Sequence, residues 1–483
     1  MASTTLSEKH RVSLCKFAIN RPKPFRNFIL AQKMLSSAPT MRFLCLIILS
    51  LSLLIHTAQA QRSDRKLSRP NVILIVAENL GFGDLGAYGQ THFQTPRIDQ
   101  FAKQGLRFTN YYAGSSIGVA SRGTIMTGKH TGSARIRGDK NLSLASMDQT
   151  LGELAKQAGY HTAAIGKWGL GDAGSEGIPT VKGFDEWFGY LTESSANTHY
   201  PTTLWRNQTN LFWSGNTHGK QDTFAPYLFT QASTNFVHLN QRKPFFLYLA
   251  YALPAPPLES PTDKPYKNET WPKPQKTLAA MMYRLDREIG RIVDSLKQLK
   301  LDEKTVVLFT SSGGPKATEG IDPSFFNSTG NHRRQGGALY EGSIRVPLIV
   351  RWPGTVDAGK TSAHICAAWD LYPTIANLMG ISEFDTGDGI SLTPTLVGRR
   401  QTKHSYLYWE THEGENFAQA ARSGDWKAVR SGPGQATELY RLDRDPTETK
   451  NLAGRYRRTT RRMERILNEA RTPSSDWPSP LDP

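Results

Sequence analysis

The chain has 483 residues, 38% apolar and 21% charged, with a formal net charge of +17. That composition excludes a disordered chain, and the length accommodates one large α/β domain plus a smaller one. With three cysteines in all, no disulfide framework carries the fold.

Residues 41–60, MRFLCLIILSLSLLIHTAQA, combine Arg42, a short apolar run and the small-residue ending Ala58-Gln59-Ala60. This is the pattern of a secretory signal peptide cleaved after Ala60. The apolar run, residues 43–55, is too short to span a bilayer. The expectation is therefore an exported protein, periplasmic or secreted, with no stable membrane span. Residues 1–60 hold eight Lys/Arg and one Glu, a net +7, so +17 − 7 leaves +10 on the mature chain. A moderately basic exported protein suits acidic partners such as sulfated glycans. Cys15 and Cys45 leave with the leader. Cys366, in the helix-like apolar run HICAAWDLYPTIANLMG, reads as a buried small hydrophobe.

NVILIVA (71–77) is a continuous β-branched apolar run closed by a Gly-rich turn. It reads as a buried central strand with function at its C-terminal end. Residues 149–158 have a helical pattern, and HTAAIGKW (161–168) is a second strand leading into a loop. PFFLYLAYALP (244–254) is a third strand, and 277–299 has apolar residues at helical spacing. TVVLFTSSGG (305–314) and RVPLIVRWPG (345–354) repeat the strand-then-glycine form. Strands alternating with helices predict a largely parallel sheet covered on both faces.

Beyond about residue 390 the texture changes. SYLYWE, WKAVR and ELYRL are short alternating strands, followed by a basic helix over 456–470. The expected organisation is a leader (1–60), an α/β domain (69–390), a small antiparallel domain (391–471) and an extended tail (472–483).

These segments together resemble a sulfatase of the formylglycine-dependent, alkaline-phosphatase-like superfamily. NVILIVAENLGFGDLGAYG is similar to the family's opening strand and first metal loop. TPRIDQFAKQGLRFTNYYAGSS, GKWGLG, FGYL, FFLYLAYALP, LFTSSGGP, LYEGSIRVPLIVRWPG and ELYRLDRDPTETKNLA follow in family order. The arylsulfatase and N-acetylgalactosamine-6-sulfatase branch is the most similar. The resemblance implies an alkaline-phosphatase-like sandwich with a large, mostly parallel sheet and a small C-terminal antiparallel sheet.

The family's chemistry requires a nucleophile for sulfur, a cation against the sulfuryl oxygens and an acid for the leaving alcohol. Its nucleophile is a hydrated formylglycine made from the first residue of C/S-x-P-S-R. Here that motif reads Gly118-Val119-Ala120-Ser121-Arg122, and glycine has no β-carbon on which to build an aldehyde. The family's calcium ligands, an Asp-Asp pair and an Asp-Asn pair, read Glu78-Asn79 and Ser312-Gly313. Glu78, Asn79 and Ser312 are a reduced oxygen set for a hard cation. No cofactor is expected, with calcium only if that set still binds it.

Histidine and lysine positions change too. Family residues are replaced by Gly169, Ala255, Gly336 and Ser133, and two histidines by Ser195 and Asn197. His199 is nearby but off register, and reads as an exposed loop histidine. Arg122, Lys129, Lys167 and Asp84 remain.

The expected function is a catalytically inactive sulfatase homologue. It would keep a cationic pocket of Arg122, Lys129 and Lys167 for a sulfated glycan or other anionic ligand, or associate with active sulfatases. The competing expectation is an active sulfuric ester hydrolase acting on sulfated carbohydrate, with Ser116 or Ser121 as a shifted nucleophile. A phosphatase of the same superfamily needs a two-metal Asp/His cluster, which this sequence lacks. Sequons stand at Asn207, Asn268 and Asn327. RRTTRRMER (457–465) reads as a solvated helix face and not as a nucleic-acid site.

Overall fold

The computed structural model describes residues 69–479 apart from 335–338, 415 and 433. The expected leader and signal peptide, and Gly336, lie outside the described residues. Ten strands form the larger sheet: β1 (Asn71–Glu78), β2 (Leu106–Tyr112), β3 (His161–Lys167), β4 (Glu186–Tyr190), β5 (Thr203–Arg206), β6 (Thr209–Phe212), β7 (Phe245–Pro254), β8 (Thr305–Ser311), β9 (Leu348–Arg351) and β10 (Lys360–Ala367). Their order is β10-β2-β9-β8-β1-β7-β3-β4-β5-β6. β1 lies parallel between β7 and β8, and β3 lies parallel between β7 and β4.

Every residue of β1, β7 and β8 is buried. A strand covered on both faces has no solvent side to make polar, which is why these runs are apolar throughout. The helices Ala225–Leu239 and Lys273–Gln298 pack beside β7 and bury Phe229, Phe236, Met281, Leu285 and Ile289 in one core. The helix Leu151–Gln157 starts where Thr150 and Glu153 form a reciprocal capping box.

One expectation is corrected. The run containing Cys366 is not one helix: Lys360–Ala367 is strand β10, and only Leu371–Leu378 is α-helical. Pairing of Cys366 with Tyr111 of β2 overrides the helical spacing, although the cysteine is fully buried as expected. The 345–354 run forms β9, which runs antiparallel to both β2 and β8. The short strands β4 to β6 carry the sheet beyond β3.

A second sheet follows, with β11 (Leu407–Glu413), β12 (Asn416–Ser423), β13 (Trp426–Arg430) and β14 (Glu438–Arg441) antiparallel in sequence order. β12, NFAQAARS, is absent from the sequence expectation because alanine favours helix. Pairing on both edges makes it a strand. The helix Arg457–Glu469 packs Met463 and Leu467 against Tyr408, Ala421, Ala428 and Leu439.

Trp369, Trp409, Tyr112 and Tyr440 fill the seam between the two sheets. Buried charge crosses it as well: Glu341 accepts from Tyr112 Oη at 2.7 Å and pairs with Lys427 Nζ at 3.0 Å. Residues 472–479 form neither helix nor strand, yet Trp477 is fully buried and its Nε1 donates to the Arg135 carbonyl at 2.7 Å. No described helix is long and apolar enough to cross a membrane.

Candidate functional site

Parallel strands present their C-terminal ends along one edge, where loops are free to carry chemistry. Here β1 ends on Glu78, and Asn79 follows at φ +57°. β3 ends on Lys167, the loop after β4 carries Glu193, and the turn after β8 supplies Ser312. The helix Gly118–Thr127 contributes Gly118 at its N-terminus and Arg122 one turn on.

These residues form one closed ionic cluster. Arg122, fully buried, pairs with Glu78 (Nη1 to Oε2, 2.6 Å) and with Glu193 through Nη2. Its Nε donates to the Trp168 carbonyl at 2.9 Å, so all three guanidinium nitrogens are engaged. Lys167 Nζ lies 3.2 Å from Glu78 Oε1 and 2.9 Å from Glu193 Oε2. Ser312 Oγ donates to Glu78 Oε2 at 2.8 Å. Burial alone would raise the Glu78 carboxyl, but Arg122, Lys167 and the Ser312 hydroxyl outweigh it and hold it down at about 2.

The two carboxylates stand where side chains are missing. A Cβ on Gly118 would lie 2.2 Å from Glu78 Oε1 and 3.1 Å from Arg122 Nη1. A Cβ on Gly169 would lie 2.1 Å from Glu193 Oε1, and the φ of +72° there disfavours any other residue. Gly118 and Gly169 are the positions at which the resemblance implies a nucleophile and a histidine. In this chain each is backed by an acid that uses the space.

Calcium does not fit this donor set. Both oxygens of Glu78 are already held by cations or a hydroxyl. The Asn79 Oδ1 is buried without a hydrogen-bond partner among the described residues, which leaves one neutral oxygen. Among the described residues no group of three or more His, Cys, Asp or Glu is placed to hold a metal ion. A hard divalent cation takes six to eight oxygens and would here have to displace Arg122 and Lys167 from the carboxylates they hold.

The pocket of three cations expected from the sequence is corrected in two ways. Arg122 and Lys167 are brought together, but each is matched by Glu78 and Glu193. Lys129 is not brought to them. It follows the C-terminus of the helix Gly118–Thr127, about 15 Å along the axis from Gly118, with its Cγ beside Gly387.

Other expected positions have local duties. Ser121 Oγ accepts from the Gly114 amide at 3.0 Å, whereas Ser116 Oγ is buried without a partner among the described residues. Ser133 donates to Asp388, and Ser195 Oγ donates to the Thr192 carbonyl at 2.8 Å. Asp84 Oδ2 accepts from the Gly81 amide at 2.7 Å.

His199 is not an exposed loop histidine. It is fully buried, its Nε2 donates to the Ala255 carbonyl at 3.2 Å, and burial pulls its imidazole down to about 4.

Glu193, Lys316 and Arg334 are absent from the sequence expectation. Burial lowers the Lys316 amine, Glu413 partly offsets this, Arg334 adds to it, and Glu78 acts weakly in the same sense as Glu413. Arg334 Nε donates to the Pro315 carbonyl at 2.6 Å next to it. The signal for Glu193 is its position two residues after FGYL, but nothing in the sequence says which way its side chain turns.

Comparison with known proteins agrees with this architecture. Residues 70–381 match the sulfatase family model, and residues 333–472 match the model described as N-sulphoglucosamine sulphohydrolase, C-terminal. An N-acetylgalactosamine-6-O-sulfatase of Bacteroides thetaiotaomicron is 27% identical over 84% of this chain and 93% of its own. An arylsulfatase of Hemicentrotus pulcherrimus is 30% identical over 77% of this chain and 69% of its own. The crystal structure of Ps i-CgsB in complex with k-i-k-neocarrahexaose superposes with a TM-score of 0.74 at 28% identity, covering 83% of this chain and 93% of that one. The chain belongs to the sulfatase family.

Proposed function

We propose that this member of the sulfatase family is catalytically inactive and binds a sulfated glycan without cleaving its ester. One observation carries the reading: carboxylates of Glu78 and Glu193 occupy the space that side chains on residues 118 and 169 would need. No nucleophile can be built on Gly118, and the cations that would steady a sulfuryl group are neutralised by protein carboxylates. Ser121 is engaged by backbone, and Ser116 has no base within hydrogen-bond reach among the described residues, so its hydroxyl stays protonated and a poor nucleophile.

Binding follows from the unequal exposure of the two acids. Glu193 is 39% exposed and Glu78 only 6%. Glu193 can turn into solvent, and a sulfate that takes its place restores the counter-charge that the fully buried Arg122 requires. It would then accept from Arg122 Nη2 and Lys167 Nζ, a charge-assisted geometry suited to an oxyanion. Relatives named for N-acetylgalactosamine-6-O-sulfatase activity and for a bound neocarrahexaose support a carbohydrate ligand. The 41–60 sequence pattern supports export with cleavage after Ala60, and association with active sulfatases remains part of the proposal.

The test has two arms. Hydrolysis of a fluorogenic aryl sulfate and of a sulfated-glycan panel, with and without calcium, is expected to show no turnover; robust turnover abolished by chelation would overturn inactivity. Binding of sulfated against desulfated glycan is expected to weaken with Lys167→Ala. Equal affinity for both glycans, unchanged by that substitution, would remove the binding reading.

A further inference from the structure

The helix Arg457–Glu469 breaks two local rules at once. Its first turn carries Arg457 and Arg458 with no acidic residue and no side-chain cap, although the N-terminal end of a helix dipole favours negative charge. Arg458, Arg461, Arg462 and Arg465 then recur at i, i+3, i+4 and i+7, a spacing that sets like charges side by side on one face. The opposite face is committed: Thr460, Met463 and Leu467 are buried against the small sheet. The four arginines are exposed, and among the described residues none of them is in a salt bridge.

The arginines also line a concavity. With Thr459 and Trp426 they line an open surface groove of about 590 Å³. Its floor is firm, because the Trp426 ring packs on Tyr456 (centroids 5.0 Å apart) and under the Arg441 guanidinium at 5.6 Å.

We propose that this groove is a second anion site, on the C-terminal sheet, that holds a sulfated polysaccharide chain. Guanidinium forks match the paired oxygens of a sulfate, and arginine sheds its hydration more readily than lysine. A row of sulfates along the helix would relieve both the N-terminal mismatch and the repulsion along the face. A single-stranded nucleic acid is a poorer fit. Such chains are held by several open aromatic platforms, whereas this groove has one tryptophan, half-buried and already covered by Arg441. The site shares its ligand class with the central cluster but none of its residues.

The probe is dextran sulfate, with uncharged dextran as control and a single-stranded oligonucleotide as competitor, titrated against the whole chain at several salt concentrations. Dextran sulfate is expected to bind, dextran not to bind, and affinity to fall steeply with salt. Arg461→Ala/Arg462→Ala is expected to weaken binding about tenfold or more near 0.1 M salt and to lower the salt slope by about one per charge removed. Arg458→Ala/Arg465→Ala, also on the exposed face, should do the same with an unchanged circular-dichroism spectrum. Lys167→Ala, which touches only the central cluster, should leave unchanged the part of dextran sulfate binding that the arginine variants remove, so either site can fail without the other. Unchanged dextran sulfate affinity in both folded double variants overturns the proposal. Equal or tighter oligonucleotide binding at the same arginines overturns the ligand class.

Discussion

The Glu78 carboxylate sits 2.2 Å from the point where Gly118 would carry a Cβ, so the acid and the glycine are one substitution in physical terms. A side chain on residue 118 would exclude Glu78 as it now stands, whereas glycine leaves room for the longer acid. Gly118→Ala should therefore destabilise the chain by about 1–3 kcal/mol through overpacking. Glu78→Asp, with a shorter reach, should relieve part of that cost in the double variant. A coupling above about 0.5 kcal/mol in denaturant melts checks the relationship; strict additivity would break it. Gly118→Cys alone should yield no sulfatase activity.

Glu78 also sets an acid limit. Its carboxyl titrates at about 2 when folded against an ordinary 4.5, so the unfolded chain binds the proton more tightly. Its contribution is complete above 4.5 and drains away as pH falls from there toward 2. Glu78→Gln leaves Arg122 and Lys167 short of a buried counter-charge and should cost about 3–5 kcal/mol at neutral pH. The gap between variant and parent should shrink across that acid window in pH-dependent melts.

Asp84 works in the opposite sense. Burial pushes its carboxyl up to about 7 from 3.8, and the Ser328 hydroxyl and the Gly81 amide pull it only partly back. The folded state then holds the proton more tightly, so this group lowers stability as pH rises from 3.8 to 7. Asp84→Asn keeps an oxygen for the Gly81 amide and removes the charge. It should gain about 1–3 kcal/mol at pH 8 and little at pH 4; equal changes at both values would refute the assignment.

Glu193→Gln should uncover Arg122 and Lys167 for an external anion. Sulfate and sulfated glycan are expected to bind more tightly to this variant, with the largest gain at low ionic strength, where screening is weakest. Calorimetric titration of parent and variant at two salt concentrations reads this directly. Weaker binding in the variant would mean that Glu193 is not the carboxylate that exchanges.

Calcium should not stabilise the fold. A ligand that binds only the native state at ten times its Kd adds roughly 1.4 kcal/mol, which a thermal melt resolves. With Glu78 held by Arg122, Lys167 and Ser312, millimolar calcium should leave the melting temperature where chelator leaves it. A calcium-dependent rise would require Glu78 to let go of its cations.

Much of this molecule is legible from residues alone. NVILIVA, PFFLYLAYALP and TVVLFTS are apolar throughout because both of their faces are covered, so their length and composition announce central strands. The edges were less readable. β4 to β6 and β12 hold their form by pairing with neighbours, and the Cys366 run is divided between strand and helix by its partner Tyr111. Local spacing carries no information about such partners.

The site divides along the same line. The sequence by itself determined what is missing: no β-carbon at 118, no histidine at 169, one acid where calcium needs several. Only the tertiary structure decided what stands in those spaces. Glu78 meets Arg122 across 44 residues and Ser312 across 234, and Glu193 reaches back 71 residues to Arg122. Charge pairing is a property of atoms within a few ångströms, and the chain brings those atoms together only when the parallel strands align their C-terminal ends.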